Sequence, residues 1–142
     1  MIDSEKKFIY IYIAWIINII SFAGSMYFSN VMMLPPCTLC WYQRICIFPM
    51  SFILAAGFLL KDKNVIWYTM PLALIGWIIS FYHNLLYYKV ISQAIIACSS
   101  GVSCTAKQIE YLGFVTIPLM ALTSLTLTII LLIKFYTAQR KA

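Results

Sequence analysis

Apolar residues run through this chain in four long stretches, at about residues 8–28, 41–60, 65–86 and 114–133. Each is close to the roughly twenty helical residues that span the ~30 Å hydrocarbon core of a bilayer. Across all four, Arg44 is the only strongly charged residue and His83 the only histidine. The pattern predicts four transmembrane helices in a single membrane domain over residues 1–142. The expected fold is all-α, an integral membrane antiparallel four-helix bundle.

The polar breaks between the runs set the connectivity. Residues 29–40 join the first two runs and contain Pro35 and Pro36, which cannot continue a helix and fix an extended entry into the second. Lys61, Asp62, Lys63 and Asn64 make a turn so tight that the second and third runs must be antiparallel neighbours. Residues 87–113 form the one loop long enough for chemistry. Thr105 and Gln108 have capping-box spacing there, so a short surface helix through residues 111–113 is expected. Pro49, Pro71 and Pro118 lie in or near runs, where kinks are tolerated if neighbouring helices satisfy the freed carbonyls. Gly24, Gly57 and Gly76 are expected to permit close helix packing.

Composition narrows the class further. The chain is 63% hydrophobic and 10% charged over 142 residues, far below the roughly one quarter charged of a soluble domain. Its net charge of +6 raises nucleic acid as a partner, but the placement of the basic residues points to a membrane instead. Lys6, Lys7, Lys61, Lys63, Lys134, Arg140 and Lys141 flank one side of the runs, against Lys89 and Lys107 on the other. That asymmetry predicts cytoplasmic termini, a cytoplasmic 61–64 turn, and loops 29–40 and 87–113 on the non-cytoplasmic side. Small residues at Ser21, Ala23, Gly24 and Ser25 raise the possibility of a cleaved signal peptide. The first run is longer than a signal core, however, and its loss would put the termini on opposite sides, so a retained helix is expected.

Five cysteines occur, and four of them form two close pairs, Cys37 with Cys40 and Cys98 with Cys104. Both pairs fall on the side expected to be outside, where disulfides persist. Short spacers bring each pair into bonding range, yet rings so small remove little unfolded-state entropy. Two such pairs on one face point to exchange chemistry. Cys37 and Cys40 open the second run, where free N–H groups and the helix dipole favour the thiolate that attacks disulfides. Cys46 has no partner at useful spacing and is expected to be a small buried hydrophobe.

Arg44 follows Cys40 by four positions and Cys37 by seven, so the three share one helical face. A cation within a span marks a functional site by default, although an arginine near an interface also snorkels. The functional reading gives Arg44 a quinone carbonyl and the neighbouring thiolate. His83 lies three residues from the outer end of its run, as Arg44 does, which puts both on the order of 5 Å deep. It is either a headgroup contact, a donor to the second quinone oxygen, or a proton relay.

The segment Cys37-Thr-Leu-Cys-Trp-Tyr-Gln-Arg44 resembles the CxxC-x-Y-x-R signature of the DsbB disulfide-oxidoreductase family. A second stretch, from Cys104 through Gln108, Tyr111 and Gly113 to Pro118, resembles that family's lead into its fourth helix. The shorter second loop is most similar to the BdbC branch. With four spans and both pairs in family order, the resemblance covers nearly the whole chain. It implies an enzyme that reoxidises a secreted DsbA/BdbD-like, thioredoxin-fold dithiol oxidase and passes the electrons to a membrane quinone, menaquinone or ubiquinone. On that pattern Cys98–Cys104 takes electrons from the partner, Cys98 forms the mixed disulfide, and Cys37–Cys40 hands them on beside Arg44. This chain departs from better-known members in that only six positions separate Cys98 from Cys104.

Three other readings compete. A vitamin-K-epoxide-reductase-like protein shares helices, cysteine pairs and a quinone-type substrate, but there the CxxC follows the loop pair. The four paired cysteines also make a zinc donor set, and metal content separates that reading from redox use. A non-catalytic scaffold leaves the helix-terminal dithiol and Arg44 unexplained. Covalent haem is disfavoured because Trp41, not histidine, follows the CxxC.

Overall fold

The computed structural model describes residues 2–90 and 116–140. Four helices make up almost all of it: α1 (Ile2–Asn30), α2 (Thr38–Leu59), α3 (Val65–Tyr87) and α4 (Ile117–Arg140). All four are long and apolar enough to cross a membrane. Each packs on two others, α1 and α3 both lying between α2 and α4, which closes an antiparallel four-helix bundle. Cys98 and Cys104, and the surface helix expected near residues 105–113, lie outside the described residues.

Packing separates a dry half from a polar half. Phe8, Ile11 and Ala14 of α1 are buried with Met50 and Leu54 of α2, Ala73 of α3, and Leu125, Leu132 and Phe135 of α4. Farther along the same face, α1 turns polar at Asn18, Ser21, Ser25 and Ser29, one helical turn after another. Large apolar side chains such as Ile20, Ile45, Phe52 and Trp67 point outward, as they must where lipid replaces water.

The helix ends explain the connections. The α2–α3 turn is a Schellman cap with Lys61 in the left-handed region at φ 50°. Asp62 N–H donates to Gly57 O and Lys61 N–H to Phe58 O. The end of α3 repeats it, with Lys89 at φ 56° and Val90 N–H donating to Leu85 O. Gly57 must be glycine-sized, because a Cβ there would run into the Val65 side chain. Gly76 faces Cys46 and Leu125 less tightly, its would-be Cβ 3.1 Å from that of Cys46.

Two expectations about single residues are corrected. Gly24 does not serve close packing, since a Cβ there would meet nothing within 4 Å. Pro118 does not kink a helix: it stands in the first turn of α4, where its missing N–H has no helical acceptor to lose. Thr116 caps that turn, accepting from Leu119 N–H at 3.4 Å. Asn84 of α3 reaches across to donate to Pro118 O at 2.9 Å. Pro49 and Pro71 do lie within α2 and α3.

Candidate active site

The chain leaves α1, passes Pro35 and Pro36, and enters α2 with Cys37 as N-cap in extended geometry, φ −72° and ψ 168°. In that position a side chain normally accepts from the first-turn amides, and here the acceptor is sulfur: Cys40 N–H points at Cys37 Sγ over 3.4 Å. One turn on, Cys40 brings its own Sγ to 2.8 Å from that of Cys37. Cys37 is buried with Leu39 and Leu86, and Cys40, Ile79 and Tyr82 pack around them.

His83 of α3 closes the far side. Its Nε2 is 3.7 Å from Cys37 Sγ, and its Nδ1 is 3.3 Å from Gln43 Nε2. The Gln43 amide nitrogen can only donate, so Nδ1 accepts and Nε2 carries the ring hydrogen toward the sulfur. His83 and Gln43 are both buried. Cys37 precedes the first membrane-spanning residue of α2. The neighbouring Cys40 thiol, and after it His83, hold the Cys37 thiol well below its usual range, down to about 4, against the opposing pull of burial. The two sulfurs and the histidine nitrogen lie within 4.8 Å of one another, a donor set that a soft metal ion could also use.

Arg44 turns the other way, toward α1. Its Nε donates to Ser25 Oγ at 2.8 Å and its Nη2 to Ser25 O at 3.0 Å. Nη1 lies 3.5 Å from Ser29 Oγ, and the guanidinium sits 5.4 Å above the Trp41 ring. Three of its five N–H groups are used among the described residues, which leaves two for another acceptor.

Between α1, α2 and α4 lies a cavity of about 450 Å³, in the size range of small-molecule sites. Its walls are chiefly apolar, with Ile17, Phe28 and Phe48 among them, and Cys40, Gln43 and Arg44 meet at its polar edge. Cys37 and His83 are not in that wall. The shared face of the sequence pattern therefore divides at Cys40: Cys37 looks toward α3 and His83, while Cys40 and Arg44 look into the cavity. His83 stands on the α3 side of the dithiol, against Cys37 and Gln43.

Gln43, Ser25 and Ser29 were not singled out by sequence as site residues. For the serines a signal existed, since Ser21, Ser25 and Ser29 recur every four residues along one face of α1. Gln43 offered only its place next to Arg44. Cys46 is buried, beside Gly76 and away from the pair.

A membrane bundle with a dithiol at a helix N-terminus, one sulfur buried and the other facing an apolar cavity beside an arginine, defines a membrane thiol–disulfide oxidoreductase. The chain matches the family described as Disulfide bond formation protein DsbB over residues 6–135, and it belongs to that family. It is 38% identical over 126 residues to Disulfide bond formation protein C of Bacillus subtilis (strain 168), covering 89% of this chain and 91% of the other. It is 41% identical to Probable disulfide formation protein C of Halalkalibacterium halodurans over 118 residues, 82% of this chain and 85% of that one. An SPbeta prophage-derived disulfide bond formation protein B of Bacillus subtilis is 43% identical over 106 residues, 72% of this chain and 70% of its own length. No solved structure matches the chain.

Proposed function

We propose that this oxidoreductase takes electrons from a secreted DsbA/BdbD-like, thioredoxin-fold dithiol oxidase and delivers them to a membrane quinone. The observation that carries the reading is the cavity walled by both Cys40 and Arg44. It offers a flat apolar ring a mainly apolar slot, with a sulfur at its edge and two guanidinium N–H groups that no described residue uses.

Cys98–Cys104 accepts the partner's two electrons by thiol–disulfide exchange, with Cys98 forming the mixed disulfide and Cys104 resolving it. The resulting dithiol then reduces Cys37–Cys40 by a second exchange. Once that exchange has reduced the pair, Cys37 is held as thiolate by the Cys40 thiol and His83 until the electrons leave, and His83 moves a proton at Cys37 Sγ. Cys40 is the sulfur facing the cavity. A quinone bound there supplies the terminal two-electron, two-proton acceptor chemistry as Cys37 and Cys40 return to the disulfide. Arg44 orients the acceptor, fixed by Ser25 and Trp41. Both cysteine pairs face outward from a bacterial inner membrane, with the termini in the cytoplasm.

The test is steady-state quinone reduction by purified protein, with a reduced thioredoxin-fold oxidase as donor. Charge-assisted hydrogen bonds contribute roughly 1.5–3 kcal/mol, so Arg44→Ala should raise the apparent KM for quinone about ten- to a hundredfold. Exchange between the partner and Cys98–Cys104 should stay near wild type. Absence of quinone reduction, or unchanged KM and kcat in Arg44→Ala, would overturn the reading.

A further inference from the structure

Arg44 can serve one carbonyl of a para-quinone ring, and His83 stands outside the cavity wall, so the second carbonyl needs another donor. The same cavity is also lined by a hydroxyl pair between α1 and α4. Ser21 Oγ and Ser124 Oγ are 2.6 Å apart, both line the cavity, and Ser124 is 8% exposed. Ser21 Oγ also donates to Ile17 O at 2.9 Å. Each hydroxyl has one hydrogen. With the Ser21 hydrogen on Ile17 O, the bond between the serines must be donated by Ser124.

That arrangement can change at little cost. Ile17 O is also positioned for its ordinary helical N–H four residues on, so the Ser21 hydrogen can leave it without stranding a buried carbonyl. The Ser124 hydrogen stays on Ser21 Oγ and polarises it, which strengthens whatever bond Ser21 then donates. Along α1, Ser21 lies one turn from Ser25, the residue that fixes Arg44, a rise of roughly 6 Å. Gly24 lines the cavity between them and leaves open space where a Cβ would stand. A guanidinium held at Ser25 and a hydroxyl one turn along α1 at Ser21, with a bare backbone between, suit a flat ring bearing an acceptor at each end.

We infer that Ser21, buttressed by Ser124, donates to the second carbonyl of the quinone and is the specificity-setting contact opposite Arg44. This rests on the quinone reading above. The two contacts differ in kind, one charged and one neutral, so they should polarise the two carbonyls unequally.

The experiment is infrared difference spectroscopy of the full-length protein with a carbonyl-¹³C-labelled para-quinone, alongside equilibrium binding of the same quinone. Wild type should show two shifted C=O bands. Ser21→Ala should return one band to the unbound position and weaken binding about three- to tenfold, leaving the other band in place. Arg44→Ala should move the other band, and Ser21→Thr, which keeps the hydroxyl, should retain both shifts. Ser124→Ala should shrink the Ser21-dependent shift without abolishing it. A role confined to holding α1 on α4 predicts no change in a single carbonyl band. Arg44-dependent binding with bands and affinity indifferent to Ser21→Ala would overturn this inference alone. Failure of the wild-type protein to bind the quinone would overturn the parent reading and this one together.

Discussion

At the scale of single residues, the chemistry depends on Cys37 being a thiolate when its neighbours are thiols. The Cys40 thiol is the first cause of its lowered pKa and His83 the next. The sign follows directly: a depressed pKa keeps the thiolate populated down to about 4, whereas an ordinary thiol near 8.5 loses about tenfold of its thiolate per pH unit below that. Alkylation of Cys37 in the reduced protein should therefore be nearly flat from about pH 8 to about pH 5. In Cys40→Ala, with the donating thiol gone, the profile should steepen. Peptide mapping after timed iodoacetamide treatment reads this out, and a steep wild-type profile would contradict it. The CxxC and Arg44 were legible in sequence because spacing along one helix fixes which residues neighbour one another. His83 was half legible: counting residues from a span end gives depth, but not the direction a side chain faces around the helix axis. Gln43 and the α1 serines were missed because isolated polar residues in an apolar run look like background until a second helix is set against them.

At the scale of elements, α2 and α3 begin and end within three residues of their apolar runs, while α1 starts six residues before its run and α4 ends seven after. Of the small residues, Gly24 was misread. Gly24 and Gly57 look alike in sequence, each a glycine in an apolar run, and only the neighbouring helix tells them apart. A Cβ at Gly57 collides with Val65, whereas one at Gly24 meets nothing within 4 Å. Gly57→Ala should therefore destabilise the bundle by about 1–3 kcal/mol, as overpacking does. Gly24→Ala should be neutral or stabilising by up to about 1 kcal/mol through helix propensity. Thermal unfolding in detergent measures both, and equal losses would refute the distinction. The left-handed caps at Lys61 and Lys89 carried no glycine signal at all. They hold because the Schellman hydrogen bonds at each helix end satisfy carbonyls that would otherwise be orphaned.

At the scale of the whole molecule, the bundle sorts its chemistry and its charge to opposite ends. The Phe8 ring lies 5.5 Å from that of Phe135 and the Tyr12 ring 5.1 Å from that of Phe58, both tilted, so the start of α1 meets the ends of α2 and α4. Gln139 of α4 donates to Lys63 O at 3.1 Å, which ties the same end to the α2–α3 turn. Lys6, Lys7, Lys61, Lys63, Lys134 and Arg140 are thereby gathered at one end, while Cys37 and Cys40 sit at the other, where α1 ends and α2 begins. The basic end should face the cytoplasm, because translocating several lysines in short loops is disfavoured. One experiment then fixes both faces. Lys63 is exposed in the turn, so a cysteine placed there by Lys63→Cys should react with a membrane-impermeant maleimide only after the membrane is permeabilised. After mild reduction of intact cells, Cys98 and Cys104 should react from outside with no permeabilisation. Because the helices fix the dithiol opposite the turn, labelling of Lys63→Cys in intact cells would place Cys37 and Cys40 in the reducing cytoplasm. The proposed route from a secreted partner would then have no entrance.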